Sequence, residues 1–583
     1  MNQSGQQWVS SIYKPTVLVV GSGKAHAICR RNGVGLADML KPFGARLGGG
    51  DGAVRFRTPN QGLKVVRGFG VQMVSPDEIS QISSGKLPKL EHILSRYIPT
   101  ERQMCDDIGE CDDAERFFRR NPDPTPWFTA ARIHLHRSLS FAPHEFTEQP
   151  IGMIVVVAAN EDSPGQKLAQ ISALGNLPSQ FASGALDGAV PCAYWVLHDK
   201  QGDVDLDKAQ KALEQIERRY PNKCSLISIN SAKDGQATKK LPDIWADLIH
   251  TDDIKKENKA GGIVRGIFLS QEDRKILGAK VSELVLKTLV PSLERKLAHL
   301  NHEVNEKRKG LGNTLKLMFT GRKSNRQSAL SADGTGYHMT SIEAKIRQAA
   351  DYALLMADYD TAAGHYRTAK GDYQHDKLYR LLATANELHG LCFLLSSGPR
   401  HGLSYIESAV QWYVANGDIQ RATRAALWAA DTFRTAGQNY KAALQLKRAS
   451  ERESHCAGGS AVRAALLVEQ AAYMFLKPSN IQGQGTMIRK YAFHLIMAGH
   501  MYHKCKLHHH GVRCYASARC VFLRKRWFHV QDHIHYDLAK NLQLLRNPEQ
   551  ALRFFSKALN FETDLSPFYD ALTNFKDIDD YSP

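Results

Sequence analysis

The first two-fifths of the chain alternate short apolar runs with amphipathic stretches. Residues 15–24 (PTVLVVGSGK) predict a buried strand that enters a glycine turn. Residues 151–158 (IGMIVVVA) form a continuous β-branched run, which is typical of a strand covered on both faces. Two further strands are predicted at residues 194–199 and 224–229, with an amphipathic helix at residues 209–219 between them. Strands that alternate with helices indicate a parallel sheet in an α/β domain.

The last two-fifths of the chain have helical periodicity only. Residues 349–373, 409–449 and 545–561 each repeat one pattern, in which a Gly, Asp or Asn ends one helix and an Ala lets the next helix pack closely. The spacing of these units is only loosely near 34 residues. The pattern therefore predicts an irregular all-α, TPR-like solenoid, an architecture that offers extended protein-binding surfaces.

A bridging helix is predicted between these two regions. Ser270 is a helix N-cap and Asp273 completes a capping box, while Pro291 should kink or restart the helix. We predict four parts in all. They are an N-terminal α/β domain at residues 1–256 with a flexible loop at about 75–126, a linker and bridging helix at 257–306, a basic amphipathic segment and flexible linker at 307–336, and the solenoid at 337–583.

The basic segment, residues 307–326 (KRKGLGNTLKLMFTGRKSNR), has the composition of an interfacial helix. Gly310 and Gly312 each weaken a helix by about 1 kcal/mol, so we expect the segment to order on a membrane. The alternative is a solvated linker with a small apolar patch packed on the next domain. The candidate membrane-binding residues are Lys307, Arg308, Lys309, Leu311, Leu315, Lys316, Met318, Phe319, Arg322 and Lys323.

The charge of the chain agrees with a polyanionic partner. Its 76 Lys and Arg residues exceed its 59 Asp and Glu residues, which gives a net charge of +17. The alternative is a merely basic surface on a large protein. No run of 18 apolar residues occurs, so we expect a cytoplasmic protein that touches membranes peripherally. The basic stretches lack the interleaved aromatic residues of RNA-binding modules, and no nucleic-acid partner is expected.

Three features resemble chemical sites, but each has the wrong spacing. The turn after the first strand has Leu18 and Ala25 where a phosphate-binding loop needs Gly and Ser or Thr. His198 and Asp199 end a strand, but no nucleophile elbow accompanies them. A histidine-rich turn lacks the paired spacing of a zinc site, and we predict no catalytic, cofactor-binding or metal site. Its metal-competent residues are His503, Cys505, His508, His509, His510 and Cys514.

Residues 487–534 carry the strings RKYAFHLIMAGH, RCY, W and DHI in an order that resembles the trafficking protein particle (TRAPP) complex subunit 8 family. Other matching strings follow in the same order along the chain. They are LADMLKPFG (36–44), TPWF (125–128), HEF (144–146), YWVLHD (194–199), LPDIW (241–245), RKGL (308–311) and DYDTAAGHYRTAKGDY (358–373). The resemblance covers about residues 15 to 560.

This resemblance implies a non-catalytic subunit of TRAPP III, a tethering complex whose small core subunits act as an exchange factor for a Rab GTPase. The implied partners are other TRAPP subunits, the Rab GTPase indirectly, and an anionic membrane surface. The implied roles are ER-to-Golgi transport and autophagosome formation, with peripheral association at Golgi, early secretory and autophagic membranes. In the family's yeast counterpart, a helix near the basic segment is implicated in membrane anchoring.

The chain departs from the family pattern at its end. Family members continue into β-rich domains after the solenoid, so we expect a fragment, a short isoform or a truncated gene model. Two other functions are open on the residues alone. One is an unrelated helical-repeat adaptor, and the other is an α/β nucleotide-binding enzyme.

Overall fold

The computed structural model contains two compact units, each discontinuous in sequence. The sheet unit comprises Trp8–Leu87 and Ser140–Ala385, and the helical unit comprises Met1–Gln7, Pro88–Leu139 and Asn386–Pro583. The domain boundaries given above remain predictions. The residues that the structure describes are 9, 12–45, 47, 53–97, 125–142, 144–173, 190–232, 243–245, 265–318, 330–331, 334–396, 398–478, 486–522 and 527–558, with the backbone alone for 309–318, 399 and 400.

The described elements confirm an N-terminal α/β region followed by a run of helices. The strands are β1 (Thr16–Gly21), β2 (Ala53–Arg57), β3 (Leu63–Arg67), β4 (Gln72–Val74), β5 (Pro150–Ala158), β6 (Cys192–Asp199) and β7 (Cys224–Ile229). The helices are α1 (Gly23–Arg30), α2 (Leu36–Ala45), α3 (Pro76–Ser83), α4 (Leu90–Leu94), α5 (Pro126–Ser138), α6 (Pro164–Ile171), α7 (Leu206–Glu217), α8 (Gln271–Leu284), α9 (Val290–Met318), α10 (Ile342–Leu355), α11 (Tyr359–His375), α12 (Tyr379–Ser396), α13 (Pro399–Ala415), α14 (Ile419–Thr435), α15 (Asn439–His455), α16 (Ala461–Leu476), α17 (Ile488–Lys504), α18 (His508–Phe522), α19 (Phe528–Leu544) and α20 (Pro548–Ala558).

The sheet of the sheet unit has five parallel strands in the order β4-β1-β5-β6-β7. β5 lies at its centre and is buried at all nine positions, as its continuous apolar sequence predicts. β2 and β3 form a separate antiparallel pair. The predicted strands at residues 194–199 and 224–229 are confirmed, because β6 and β7 occupy them.

The capping box at the start of α8 is confirmed. Ser270 accepts a hydrogen bond from the Asp273 amide at 3.2 Å, and Asp273 accepts one from the Ser270 amide at 3.0 Å. Asp273 is fully buried and also accepts from the Ser231 amide at 2.9 Å, so the cap ties α8 to the loop after β7. Pro291 does not end this helix. A five-residue π turn, Val285–Leu289, precedes it, and the helix continues as α9.

The helical unit is built from successive antiparallel helices, with neighbours from α13 to α17 in contact along the chain. The turns between them carry residues in the left-handed conformation, such as Gly417 and Gly437 with φ of 72° and 71°. Asp418 follows Gly417 and accepts a hydrogen bond from the Arg421 amide, which caps α14. The predicted pattern, a glycine that ends one helix and an alanine that packs closely in the next, is confirmed at this turn by Gly417 and the fully buried Ala422.

A buried carboxylate, Glu387, joins three helices of the helical unit. It accepts hydrogen bonds from the Arg424 guanidinium at 2.8 and 2.7 Å, the Tyr413 hydroxyl at 2.6 Å and the Trp428 indole at 2.9 Å. Burial raises the cost of ionising Glu387, but the Arg424 guanidinium and the other donors outweigh it and lower its pKa. Glu387 is therefore ionised, and its partners lie on the two helices that follow it in the helical unit.

Helix α5 belongs to the helical unit although it lies far from its partners in sequence. The Trp127 indole donates to Glu469 on α16 at 3.2 Å, and Glu469 also accepts from Tyr502 at 2.6 Å and Arg513 at 2.7 Å. The Arg513 guanidinium stacks 4.1 Å from the centre of the Trp127 ring. His510 lies beside this group, and its Nε2 donates to the Leu94 carbonyl at 3.1 Å.

We expect Glu387→Ala to lower the free energy of unfolding by about 3–5 kcal/mol, because it removes the carboxylate that pairs with the buried Arg424 guanidinium. Glu451→Ala is the matched control. Glu451 is half exposed and pairs with Lys447 on the same helix, so its loss should cost at most about 0.5 kcal/mol. Urea unfolding of the full chain measures both values. Equal effects of the two substitutions would contradict the role given to Glu387.

His510 makes the unfolding free energy depend on pH. Burial and the adjacent Arg513 charge lower the pKa of His510 to about 4, below its unfolded value of 6.5. As the pH falls, the unfolded chain therefore takes up the proton first. The contribution of His510 to the free energy of unfolding is fully present above pH 6.5 and is lost as the pH falls towards 4. Between pH 7 and pH 5 the loss from this residue is about 2 kcal/mol.

We expect His510→Gln, which keeps a donor for Leu94, to show a shallower decline of the unfolding midpoint from pH 7 to pH 5 than the natural chain. His401→Gln, at an exposed histidine of the same unit, is the control. If the two variants decline in parallel, His510 is not the acid-sensitive group.

Candidate functional site

The basic segment continues a helix that is anchored in the sheet unit. Leu293, Leu297, Leu300 and Val304 recur at helical spacing on α9 and are all buried. α9 packs against α10 and against β2. This apolar stripe holds the first turns of α9 against the rest of the sheet unit.

Two of the predicted membrane-binding cations are paired within the chain. Lys307 contacts Glu303 at 2.8 Å, and Arg308 contacts Asp372 on α11 at 2.6 Å. Glu303 also pairs with Lys345, and hydrogen bonds from the two lysines lower its pKa to about 2. A lipid headgroup would have to compete with these carboxylates for Lys307 and Arg308.

The remaining predicted residues differ in what the structure describes. Lys309, Leu311, Leu315, Lys316 and Met318 lie on the last turns of α9, where the backbone alone is described. Positions 311, 315 and 318 share one face of a helix by spacing. Phe319, Arg322 and Lys323 lie outside the described residues.

The backbone of α9 is helical through Gly310 and Gly312 to Met318. That this segment orders on a membrane stays a prediction. The buried stripe of α9 supplies the first turns, and adding residues to an existing helix avoids the cost of nucleation. That saving exceeds the weak helix propensity of the two glycines.

The turn after β1 forms structural contacts. Ser22 caps α1 by accepting from the Ala25 amide at 3.2 Å, and Lys24 donates to the Asn160 carbonyl at 2.9 Å. A Cβ at Gly21 would lie 2.3 Å from Leu36, so the glycine there allows α2 to approach. These contacts agree with an ordinary strand-to-helix turn.

The polar pair at the end of β6 is also engaged in the fold. His198 is buried, and its Nε2 donates to the Val204 carbonyl at 2.8 Å while Nδ1 accepts from Ser228 at 3.1 Å. Asp199 pairs with Arg31 at 2.5 Å and accepts from Asn230 at 3.0 Å. Both side chains therefore tie strand ends to neighbouring loops.

The histidine-rich turn does not bring its metal-competent residues together as a set. His503 and His508 both donate to the Asn541 side-chain oxygen at 3.0 Å. His510 faces Leu94, and the thiol of Cys514 is fully buried beside Arg513, where burial raises its pKa. Cys505 and His509 complete the turn without joining them. Among the described residues, the side chains close enough to share one ion lie elsewhere.

A surface groove of about 580 Å³ lies on the outer side of α17 and α19. Phe493 and Met497 of α17 and Trp527 before α19 line it and are 57%, 37% and 44% exposed. This groove is not among the features predicted from the sequence. Its signal is the i, i+4 pair Phe493 and Met497, which lies opposite the buried face of the same helix. The other lining residues are Arg489, Lys490, Ile496, His500, Phe522, His529, Val530 and His533.

No helix in the described part of the chain combines the length and the apolar character that crossing a bilayer requires.

Comparisons with known proteins agree on one family. The family model TRAPPC-Trs85, described as "ER-Golgi trafficking TRAPP I complex 85 kDa subunit", matches residues 9–437. The human protein named trafficking protein particle complex subunit 8 is 26% identical over 97% of this chain and 44% of its own length. Transport protein particle subunit trs85-2 of Schizosaccharomyces pombe is 21% identical over 63% of this chain and 61% of its own. The chain thus spans less than two thirds of either relative.

Proposed function

Because the chain belongs to the TRAPPC-Trs85 family, we propose that it is a non-catalytic subunit of a TRAPP complex. The match of the family model to residues 9–437 carries this proposal, because it extends over the β1–β7 sheet and into the helical array. Within this proposal, the complex is TRAPP III and the chain is one of its subunits. The chain holds the complex on Golgi and other early secretory and autophagic membranes, supporting ER-to-Golgi transport and autophagosome formation.

The geometry supports a scaffold rather than a catalyst. Stacked antiparallel helices present long, continuous surfaces to partner proteins. The polar groups where an α/β enzyme holds its substrate, including His198 and Asp199, are bonded to neighbouring loops. Exchange on the Rab GTPase is then the task of other subunits, with this chain as their attachment to the membrane.

The basic part of α9 is the proposed membrane contact. Since Lys307 and Arg308 pair with Glu303 and Asp372, the attraction to anionic lipid falls mainly on the cations that follow. Each cation near an anionic surface contributes about 1 kcal/mol, and each large apolar side chain that inserts adds about 1.5–3 kcal/mol before entropy costs. The cations are Lys309, Lys316, Arg322 and Lys323, and the apolar residues are Leu311, Leu315, Met318 and Phe319.

Co-purification tests the complex. We expect the tagged full chain, purified from its own cells, to bring down small TRAPP subunits identifiable by mass spectrometry. Leu315→Asp should bring down the same subunits, because it alters the membrane contact only. A soluble, well-expressed chain that recovers no TRAPP subunit would refute the subunit role.

Liposome flotation tests the membrane contact separately. We expect the double substitution Leu315→Asp and Phe319→Asp to abolish flotation with vesicles that contain anionic lipid, because both changes add negative charge and remove apolar area. Leu63→Asp, at a leucine that is 70% exposed on β3, is the matched control and should float normally. Lys316→Glu with Lys323→Glu should reduce binding more than Lys307→Ala with Arg308→Ala. Unchanged flotation of the Leu315 and Phe319 variant would place the contact elsewhere.

A further inference from the structure

Three metal-binding side chains converge on the helical unit, where α17 and α19 meet. The Nε2 atom of His533 lies 3.2 Å from Nε2 of His500 and 3.2 Å from Oδ2 of Asp537. Nδ1 of His500 lies 3.5 Å from the same Asp537 oxygen. His533 and Asp537 are four residues apart on α19, so helical spacing places them on one face, and His500 faces them from α17.

These distances suit a small divalent ion. Zinc bound tetrahedrally at about 2.0–2.1 Å holds its ligand atoms roughly 3.3 Å apart, and two of the three separations here are 3.2 Å. One ligand atom from each of the three residues lies within 4.8 Å of the other two.

The carboxylate oxygen of the group lies within ion-pair distance of both histidines but has no hydrogen bond of good geometry. Oδ2 of Asp537 is buried and accepts no hydrogen bond from the described residues. The Nε2 atoms of His500 and His533 face each other at 3.2 Å. If both imidazoles are neutral, one Nε2 can donate a single hydrogen bond to the other, and no second proton fits between them. A divalent cation would satisfy the carboxylate and both nitrogen lone pairs together.

A neighbouring residue orients the ring of His500. The Tyr515 hydroxyl lies 2.7 Å from Nδ1 of His500, and the Tyr515 side chain is 1% exposed. With its proton on Nδ1, His500 donates to Tyr515 and leaves Nε2 free to bind metal, which is the arrangement found around metal-bound histidines. Gly499 makes room for this contact, because a Cβ there would lie 2.7 Å from the Tyr515 ring.

We propose that His500, His533 and Asp537 bind one divalent transition-metal ion of the zinc class. Two imidazole nitrogens and one carboxylate favour zinc over magnesium or calcium, which prefer oxygen ligands. His500 and His533 also line the groove, so the fourth coordination position opens towards it. The ion joins α17 to α19 and leaves one position for water or for a side chain of a protein docked in the groove.

Titration of the chelator-treated full chain tests the site. We expect one equivalent of Co²⁺ to produce visible ligand-field absorption of a four-coordinate site, and Zn²⁺ to displace it. His533→Ala and Asp537→Asn should each weaken Zn²⁺ binding at least about 100-fold, more than the roughly 10–100-fold expected of Tyr515→Phe, which removes only the orienting contact. Zn²⁺ should raise the melting temperature of the natural chain and not that of Asp537→Asn.

The double substitution His503→Ala and His508→Ala in the histidine-rich turn is the matched control and should bind as the natural chain does. Far-ultraviolet circular dichroism checks that each variant is folded. The proposal is overturned if the natural chain shows no saturable binding. It is equally overturned if folded His533→Ala and Asp537→Asn bind with unchanged affinity, or if only the control loses binding.

Discussion

The buried carboxylate of Glu469 joins four helices of the helical unit through polar contacts. An ionised carboxylate is tolerated inside a protein only when its lone pairs find donors, and Glu469 finds them on three elements: Trp127, Tyr502 and Arg513. The guanidinium of Arg513 is buried as well, so neither charge is satisfied unless α5, α16, α17 and α18 are all in place. Glu387 does the same for α12, α13 and α14. The helices are joined by paired charges as well as by apolar contact, and this specifies which helix packs beside which.

Local patterns predict the elements of this chain well. Continuous apolar runs identify β5 and β6, and the capping box of Ser270 and Asp273 gives the start of α8, because each is decided by residues close in sequence. Local patterns do not predict the division into two compact units. Trp127 and Glu469 are 342 residues apart, and no residue near Trp127 in the sequence indicates that Glu469 is its partner. At Pro291 the local rule predicts a kink or a restart, and the structure has a π turn, Val285–Leu289, directly before α9 begins at Val290.

The same distinction applies to the candidate sites. The basic composition of residues 307–326 is plain in the sequence, but the partners of Lys307 and Arg308 are not, because Asp372 comes from another helix. A count of charges therefore overstates what is available to a lipid. The composition of the histidine-rich turn indicates a metal site, but the side chains that converge are those of His500, His533 and Asp537. The four-residue spacing of His533 and Asp537 can be recognised in the sequence. His500 can be added only when it is known that α17 lies beside α19.

The membership of α5 in the helical unit has a consequence for how the protein is made. A ribosome adds about 5–20 residues per second, so the 342 residues between Trp127 and Glu469 take roughly 20–70 s to synthesise. During that time the apolar face of α5 has no α14 or α16 to pack against, although the strands of the sheet unit up to β7 emerge and can pair. Helix α5 is therefore synthesised well before the helices that cover it, while the strands that follow it in the sequence can already pair with one another.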